Sequence, residues 1–239
     1  KSLYVVGGEQ SLHFKQVFKV LEKMGYKFAA DMHHIPFGMI LKNGKKMSTR
    51  KGKLVLLEDV LNEAINLAYQ NIEARNPDLP NKKETAKMVG VGAIIFHDLK
   101  NYRMNDIEFN LNSMLTFEGE TGPYVQYTHA RANSILRKAN DEGLTISVSE
   151  AFQDEKAWNI ISQLMKFEEV VKLAYTQFDP SQIAKYVIDL AQSFNKYYGS
   201  VRILENDKYL VSRLAIVKAT TIVLKEGLRI LGIQAPEQM

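Results

Sequence analysis

There is no cysteine in this chain, which excludes disulfides and thiolate metal sites and makes a reducing compartment, the cytoplasm, the expectation. No apolar run approaches the roughly twenty residues of a membrane-spanning helix, so no membrane partner is expected. Six prolines and fourteen glycines among 239 residues are too few for a disordered or low-complexity chain. The opening, KSLYVVGG, has no initiator methionine and none of the anatomy of a signal peptide. It reads as a strand entered in mid-course, and a piece of a longer protein is expected. What is present is a 46% hydrophobic content, enough to fill one large or two modest cores, and a formal net charge of +4. That mild excess of cations permits a nucleic-acid partner, provided the charge is concentrated somewhere.

One place concentrates it. In LKNGKKMSTRKGKLVLLEDV, residues 41–60, Lys42, Lys45, Lys46, Arg50, Lys51 and Lys53 follow one another with no acid among them. On charge alone this is a solvated surface turn. Upstream, LYVV at 3–6 ends in Gly7-Gly8, which suits a buried parallel strand and its turn. Residues 11–24 follow with helical spacing at Leu12, Val17, Val20, Leu21 and Met24, and Gly25 stops the helix. The stretch GMIL, 38–41, then leads into the basic loop as a second strand. Strand, glycine turn, helix, strand is a βαβ-like unit, and ligands of such sheets sit beyond the carboxyl ends of the strands.

Past the loop the texture is helical. Segments 57–75 and 83–102 are helical, the latter weakened by two glycines, with the turn-rich NPDLPN between them. EGETGPY, 118–124, marks a boundary between domains at 1–118 and 119–239. Beyond it helices are expected near 124–140, 150–178, 180–199 and 207–231, with Leu210, Leu214, Val217 and Thr221 on one face. The expected architecture is an α/β fragment followed by an all-α bundle, mostly α overall. Trp158, sharing a helix face with Ile161 and Met165, reads as core, and 103–115 reads as structural.

Three stretches carry candidate chemistry. In the basic loop Ser48 and Thr49 stand among the cations and can add hydroxyl and backbone donors for phosphate oxygens. In VVGGEQSLHF, 5–14, Gln10 and His13 are polar residues of a first helical turn. His33 and His34 are strand neighbours that point to opposite faces, which makes no metal site. In FEGETGPYVQYTHARANSIL, 117–136, Tyr124 and Tyr127 stand three apart on one helix face with His129 and Arg131 near. Periodicity alone makes these tyrosines core. The functional alternative is a platform on which splayed RNA bases stack beside arginine.

The order KMSTR resembles the KMSKS signature of class I aminoacyl-tRNA synthetases, and GKKMSTRKG is similar to the arginyl-tRNA synthetase version, of bacterial type. Lys46, Met47 and Ser48 match, Thr49 stands where the second lysine belongs, and Arg50 replaces the final serine. The resemblance implies a catalytic set of Lys46, Ser48, Arg50 and Lys51, in which Arg50 and Lys51 share the missing lysine's task. It also implies that Gln10 contacts arginine, and that His13, Lys46 and the backbone at Gly38 and Met39 contact ATP. TGPYVQYTHAR, LAQSFNKYYGSVRIL and the final LGIQAPEQM resemble that family's anticodon-binding domain. This implies RNA contacts at Tyr124, Tyr127, Arg131, Tyr197 and Met239, with Tyr198 and Arg202 as secondary candidates and Asn195 as either a contact or a buried polar residue.

By resemblance, residues 1–118 end a Rossmann-like catalytic domain and 119–239 form the anticodon-binding bundle. The implied reaction joins L-arginine and ATP, with Mg2+, into arginyl-adenylate, then transfers arginine to tRNA(Arg), in a cytoplasmic monomer without a protein metal site. No HIGH-type sequence is present, MHHI not being one, so the chain alone is expected to be inactive. The alternative is a tRNA-binding module derived from a synthetase without catalysis. The blander alternative is a helical scaffold with a basic surface.

Overall fold

The structure, a computed structural model, describes residues 1–46, 56–146 and 154–239. Met47, Ser48, Thr49, Arg50 and Lys51, the remainder of the signature and its flank, lie outside the described residues. The chain divides into two compact units, one of Lys1–Leu54 with Asn101–Asn110, the other of Val55–Lys100 with Leu111–Met239.

In the first unit β1 (Ser2–Gly7) pairs in parallel with β2 (Met32–Phe37), joined by α1 (Ser11–Lys23). The βαβ order is as read, but the second strand is β2 rather than the stretch at 38–41. Ile40–Lys42 (β3) belongs to a separate sheet, antiparallel to β4 (Lys45–Lys46) and parallel to β5 (Ile107–Glu108). Gly38 separates the two sheets. Its N–H donates to Arg103 O at 2.8 Å, and a Cβ there would run into the backbone of Asn105, so no larger residue permits this approach. β3 and β4 are joined through Asn43 (φ 54°) and Gly44 (φ 69°). Asn-Gly with positive φ at both positions is the favoured two-residue hairpin turn. The carboxylate of Glu108 accepts from the N–H of Asn43 and, at 3.1 Å, from that of Gly44.

Burial corrects the reading of β1. Val5 is 65% exposed and Leu3 nearly half, so the strand is not buried on both faces among the described residues. The inner face of α1 is aromatic rather than aliphatic. Phe14 and Phe18 meet Tyr4 with ring centroids 5.4 and 5.6 Å apart, and Phe14 stacks on His34 at 4.5 Å, while Leu12, Val20 and Met24 are exposed.

The second unit is helical: α2 (Leu57–Arg75), α3 (Lys82–Leu99), α4 (Leu111–Met114), α5 (Gly122–Asp141), α6 (Trp158–Met165), α7 (Phe167–Gln177), α8 (Ser181–Ser200) and α9 (Leu210–Ile230). The glycines of α3 that weaken its propensity are what let it pack. A Cβ on Gly90 would sit 2.7 Å from Ile65 N, so α2 and α3 close through Ala64, Ala68 and Ala86. Phe96, Ile160, Leu190, Phe194, Leu214, Leu224 and Leu228 fill the centre of the bundle. Leu210, Leu214, Val217 and Thr221 are all buried, as their spacing requires.

The helix expected over 150–178 is two helices. The N–H of Lys166 donates to Gln163 O at 3.0 Å, a tightened turn that lets Phe167 swing in against Tyr186 (5.7 Å). Trp158 is not core but 62% exposed, and Met165 is more so. Ala157 and Ile160 take the inward face of this turn, and Trp158 and Met165, seven apart, fall on the other. Among the described residues no helix is long and apolar enough to cross a membrane.

Candidate functional site

In the first unit the residues in question gather around the turn after β1. A 3-10 turn, Gly8–Gln10, leads into α1, so Gln10 and His13 stand exposed on successive turns. Lys46, at the end of β4, donates from Nζ to Glu9 Oε1 at 2.7 Å. The signature's first lysine thus reaches the turn that carries Gln10, with Glu9, unnoticed in the sequence, as its partner. Both side chains are well exposed, and such pairs contribute about 0–1 kcal/mol, so an incoming polyphosphate could displace the carboxylate. The backbone at Gly38 and Met39 is already committed. Gly38 N–H goes to Arg103 O, Met39 N–H to Asp106 Oδ1 at 2.6 Å, and Met39 O accepts from Ile107 N–H at 2.9 Å. An adenine would compete with Asp106 for the Met39 N–H.

In the second unit α5 starts where Thr121 caps it, its Oγ1 accepting from Tyr124 N–H at 3.1 Å, with Pro123 in the first turn. That fixed start sets the phase of the helix, so Tyr124, Tyr127 and Arg131, at i, i+3 and i+7, share a face. The Arg131 guanidinium lies 4.8 Å from the centroid of the Tyr127 ring and 5.2 Å from that of Tyr198 on α8. Asn195, one turn before Tyr198, holds the cluster together. Its Oδ1 accepts from Arg131 Nη1 at 2.6 Å, and its Nδ2 donates to Tyr124 Oη at 3.0 Å and Thr128 Oγ1 at 2.8 Å. Arg131 also edges a hollow of about 640 Å³ whose wall includes Lys138, Tyr198, Arg202 and Glu205.

Tyr197 is corrected. It is 2% exposed, with its ring in the core and its hydroxyl donating to Asp154 Oδ2 at 2.9 Å. Burial, then the Asp154 carboxylate, pushes its phenol well above the usual tyrosine range. A ring packed on both sides offers no face to a base. Its neighbour Tyr198, about 100° further round α8, is exposed, with its ring beside Arg131 and Phe194.

His129 is likewise buried. Its Nδ1 faces Pro236 O at 2.9 Å, and since a carbonyl only accepts, Nδ1 bears the proton. Burial holds its pKa below the ordinary histidine value. Together with Gln126 Nε2 to Gln234 O (2.7 Å) and Arg137 Nη1 to Glu237 O (2.9 Å), this bond seats the C-terminal segment along α5. Met239, half-buried, accepts at its carbonyl from Asn76 Nδ2 at 3.4 Å, beside the end of α2. The signals available for what sequence reasoning missed were short-range: Asn195 and Tyr198 lie three apart on a helix, and Asn43-Gly44 announces a hairpin that ends at Lys46.

Two family models match in succession. The model of the class I (R) tRNA synthetase catalytic domain matches residues 1–111, and that of the DALR anticodon-binding domain matches residues 125–239. A class I catalytic segment followed by a helical anticodon-binding domain is the architecture of an aminoacyl-tRNA synthetase. Arginine–tRNA ligase 2 of Bacillus anthracis is 62% identical over all 239 residues, and arginine–tRNA ligase of an Exiguobacterium species is 61% identical over 236, or 99% of the chain. Both alignments take in 42% of the relative, so the chain spans about two fifths of the length of these proteins. The Thermus thermophilus arginyl-tRNA synthetase structure superposes with a TM-score of 0.91 at 37% identity, over the whole chain and 41% of that structure. The chain belongs to the arginyl-tRNA synthetase family, bacterial type.

Proposed function

We propose that the protein carrying this chain is an arginine–tRNA ligase, which activates L-arginine with ATP and transfers it to tRNA(Arg). The observation that carries the reading is the end-to-end match of one chain to that family, with the KMSTR loop in one unit and the tyrosine–arginine face in the other. Lys46 releases Glu9 and, with Ser48, Arg50 and Lys51, takes the β- and γ-phosphates, gaining most as pyrophosphate departs. Gln10 faces the arginine substrate, while His13 and the segment at Gly38 and Met39 face the nucleotide. Mg2+ arrives with ATP rather than in a protein site. The reading places the reaction in the cytoplasm, in a monomer.

Tyr124, Tyr127, Arg131, Tyr198 and Met239 belong to the surface that meets the anticodon loop, with Arg131 fixing the Tyr127 and Tyr198 rings against which bases pack. The domain boundary near 118–119 separates these two tasks. The exposed apolar residues of β1 and α1 support the further proposal that this chain alone does not aminoacylate, because its catalytic segment leaves an apolar face bare.

The test is arginylation of tRNA(Arg) by the intact gene product, with L-arginine and ATP, beside the same assay on these 239 residues. The expected outcome is arginyl-tRNA from the first only, with salt-dependent tRNA binding by both. Arginyl-tRNA formed by the short chain would overturn the inactive-fragment reading. Binding without arginylation by the intact protein would favour the tRNA-binding module.

A further inference from the structure

The cation–ring contacts of the second unit do not end at Tyr127. Phe117, just ahead of α5, stands edge-on to Tyr127 with centroids 6.2 Å apart, and the Arg75 guanidinium at the end of α2 lies 4.7 Å from the Phe117 centroid. The result is a ladder, Arg75–Phe117–Tyr127–Arg131–Tyr198, in which cations and rings run from α2 across α5 to α8. At each end is a hollow. One is the hollow beside Arg131 and Tyr198; the other, of about 620 Å³, lies between α2 and residues 111–119 and includes Asn71, Arg75, Asn112, Thr116, Phe117 and Glu118 in its wall.

We infer that the hollow at Arg75 and Phe117 is a further RNA-nucleotide subsite, for a nucleotide beyond those met at Tyr127 and Tyr198; this rests on the tRNA reading proposed above. Arg75 is exposed, and no carboxylate among the described residues lies within ion-pair distance of it. Among the described residues its guanidinium meets one ring, that of Phe117, and its N–H donors remain for a phosphate or a base carbonyl. Asn71 and Asn112 can both donate and accept, and the Glu118 carboxylate accepts from exocyclic amines. That mixture suits a ligand anionic at one end and hydrogen-bonding at the other. It disfavours a bare inorganic anion, which Glu118 would repel. The half-buried Phe117 ring supplies an apolar wall, and the volume lies within the range of small-ligand sites.

The test measures the Kd of the intact gene product for tRNA(Arg) transcript across a salt series, for wild type, Arg75→Gln, Arg75→Lys and Phe117→Leu, each checked by thermal melting. Arg75→Gln is expected to weaken binding roughly five- to tenfold and lower the slope of log K against log salt by about one, with Tm unchanged. Arg75→Lys keeps the slope while recovering only part of the affinity, because an ammonium cannot stack as a plane. Phe117→Leu weakens binding without altering the slope. Unchanged affinity in Arg75→Gln, or a loss matched by a fall in Tm, overturns the subsite. Tyr127→Ala and Arg131→Ala run in the same assay separate the two levels. If they weaken binding and Arg75→Gln does not, the subsite alone falls; if they too leave binding unchanged, the tRNA reading falls with it.

Discussion

The two units hold their polar groups in opposite ways. In the second, Arg131 is stacked between two rings and tied to Asn195, and Asn195 is tied in turn to Tyr124 and Thr128. Arg213, 4% exposed on α9, is held by Ile203 O at 2.9 Å and by Asp207 at 2.8 Å. In the first, Lys46 is held by one exposed ion pair, and Gln10 and His13 stand in solvent. A deep apolar core lies behind the second unit's network, whereas Ala29 and Ile35 are the only hydrophobic residues buried among the described residues of the first. Preorganised groups suit a surface that must recognise one shape; a loosely held cation suits chemistry in which its partner changes during the reaction.

Mutations can break this contrast. The largest effect is expected from Phe194→Ala, which empties the centre of the bundle and should cost about 3–5 kcal/mol in urea unfolding, against less than ~0.5 kcal/mol for Val5→Ala on the exposed strand. Similar losses at both positions would erase the distinction between the units. Arg213→Leu comes next, at about 2 kcal/mol, because it strands the carbonyls of Ile203 and Glu205. An unchanged unfolding midpoint would show that water replaces the guanidinium.

A pH series sharpens the comparison within the second unit. Burial holds the His129 pKa below its unfolded value, so the unfolded chain takes up the proton first as pH falls. Stability should therefore be complete above about pH 6.5 and decline as pH drops through the folded pKa. His129→Gln should flatten that part of the profile, and a profile identical to wild type would remove the histidine from the acid response. The smallest effect is reserved for Glu9→Gln in the first unit. Unpairing Lys46 should change the unfolding free energy by under ~0.5 kcal/mol, while its effect on ATP–pyrophosphate exchange by the intact protein reports whether Glu9 restrains the lysine.

Much of this was legible in order and spacing. The Tyr124–Tyr127–Arg131 face and the Leu210–Leu214–Val217–Thr221 stripe rest on short-range periodicity, which the helices preserve. What misled was choosing between faces. Tyr197 and Tyr198 are adjacent tyrosines, and only the position of α8 against its neighbours decides which one enters the core. Trp158, exposed where its spacing suggests core, follows the same rule: periodicity says which residues share a face, and packing says which face is inward. The glycines of α3 lower helix propensity in isolation, and their use appears only where α2 closes on Gly90.

By itself, then, the sequence determined the patterns on which the functional reading rests: an acid-free run of cations in the KMSTR order, a helical second half, and aromatic residues beside arginine. These properties reside in residue type and near-neighbour spacing, which hold whatever the chain packs against. Only the tertiary structure decided that Lys46 answers to Glu9, that Asn195 is a hub, that Tyr198 rather than Tyr197 faces outward, and that Arg75 extends the ladder. Each of these joins residues far apart in the chain, and a side chain's partner is fixed by which surfaces are buried together, a property no local pattern encodes.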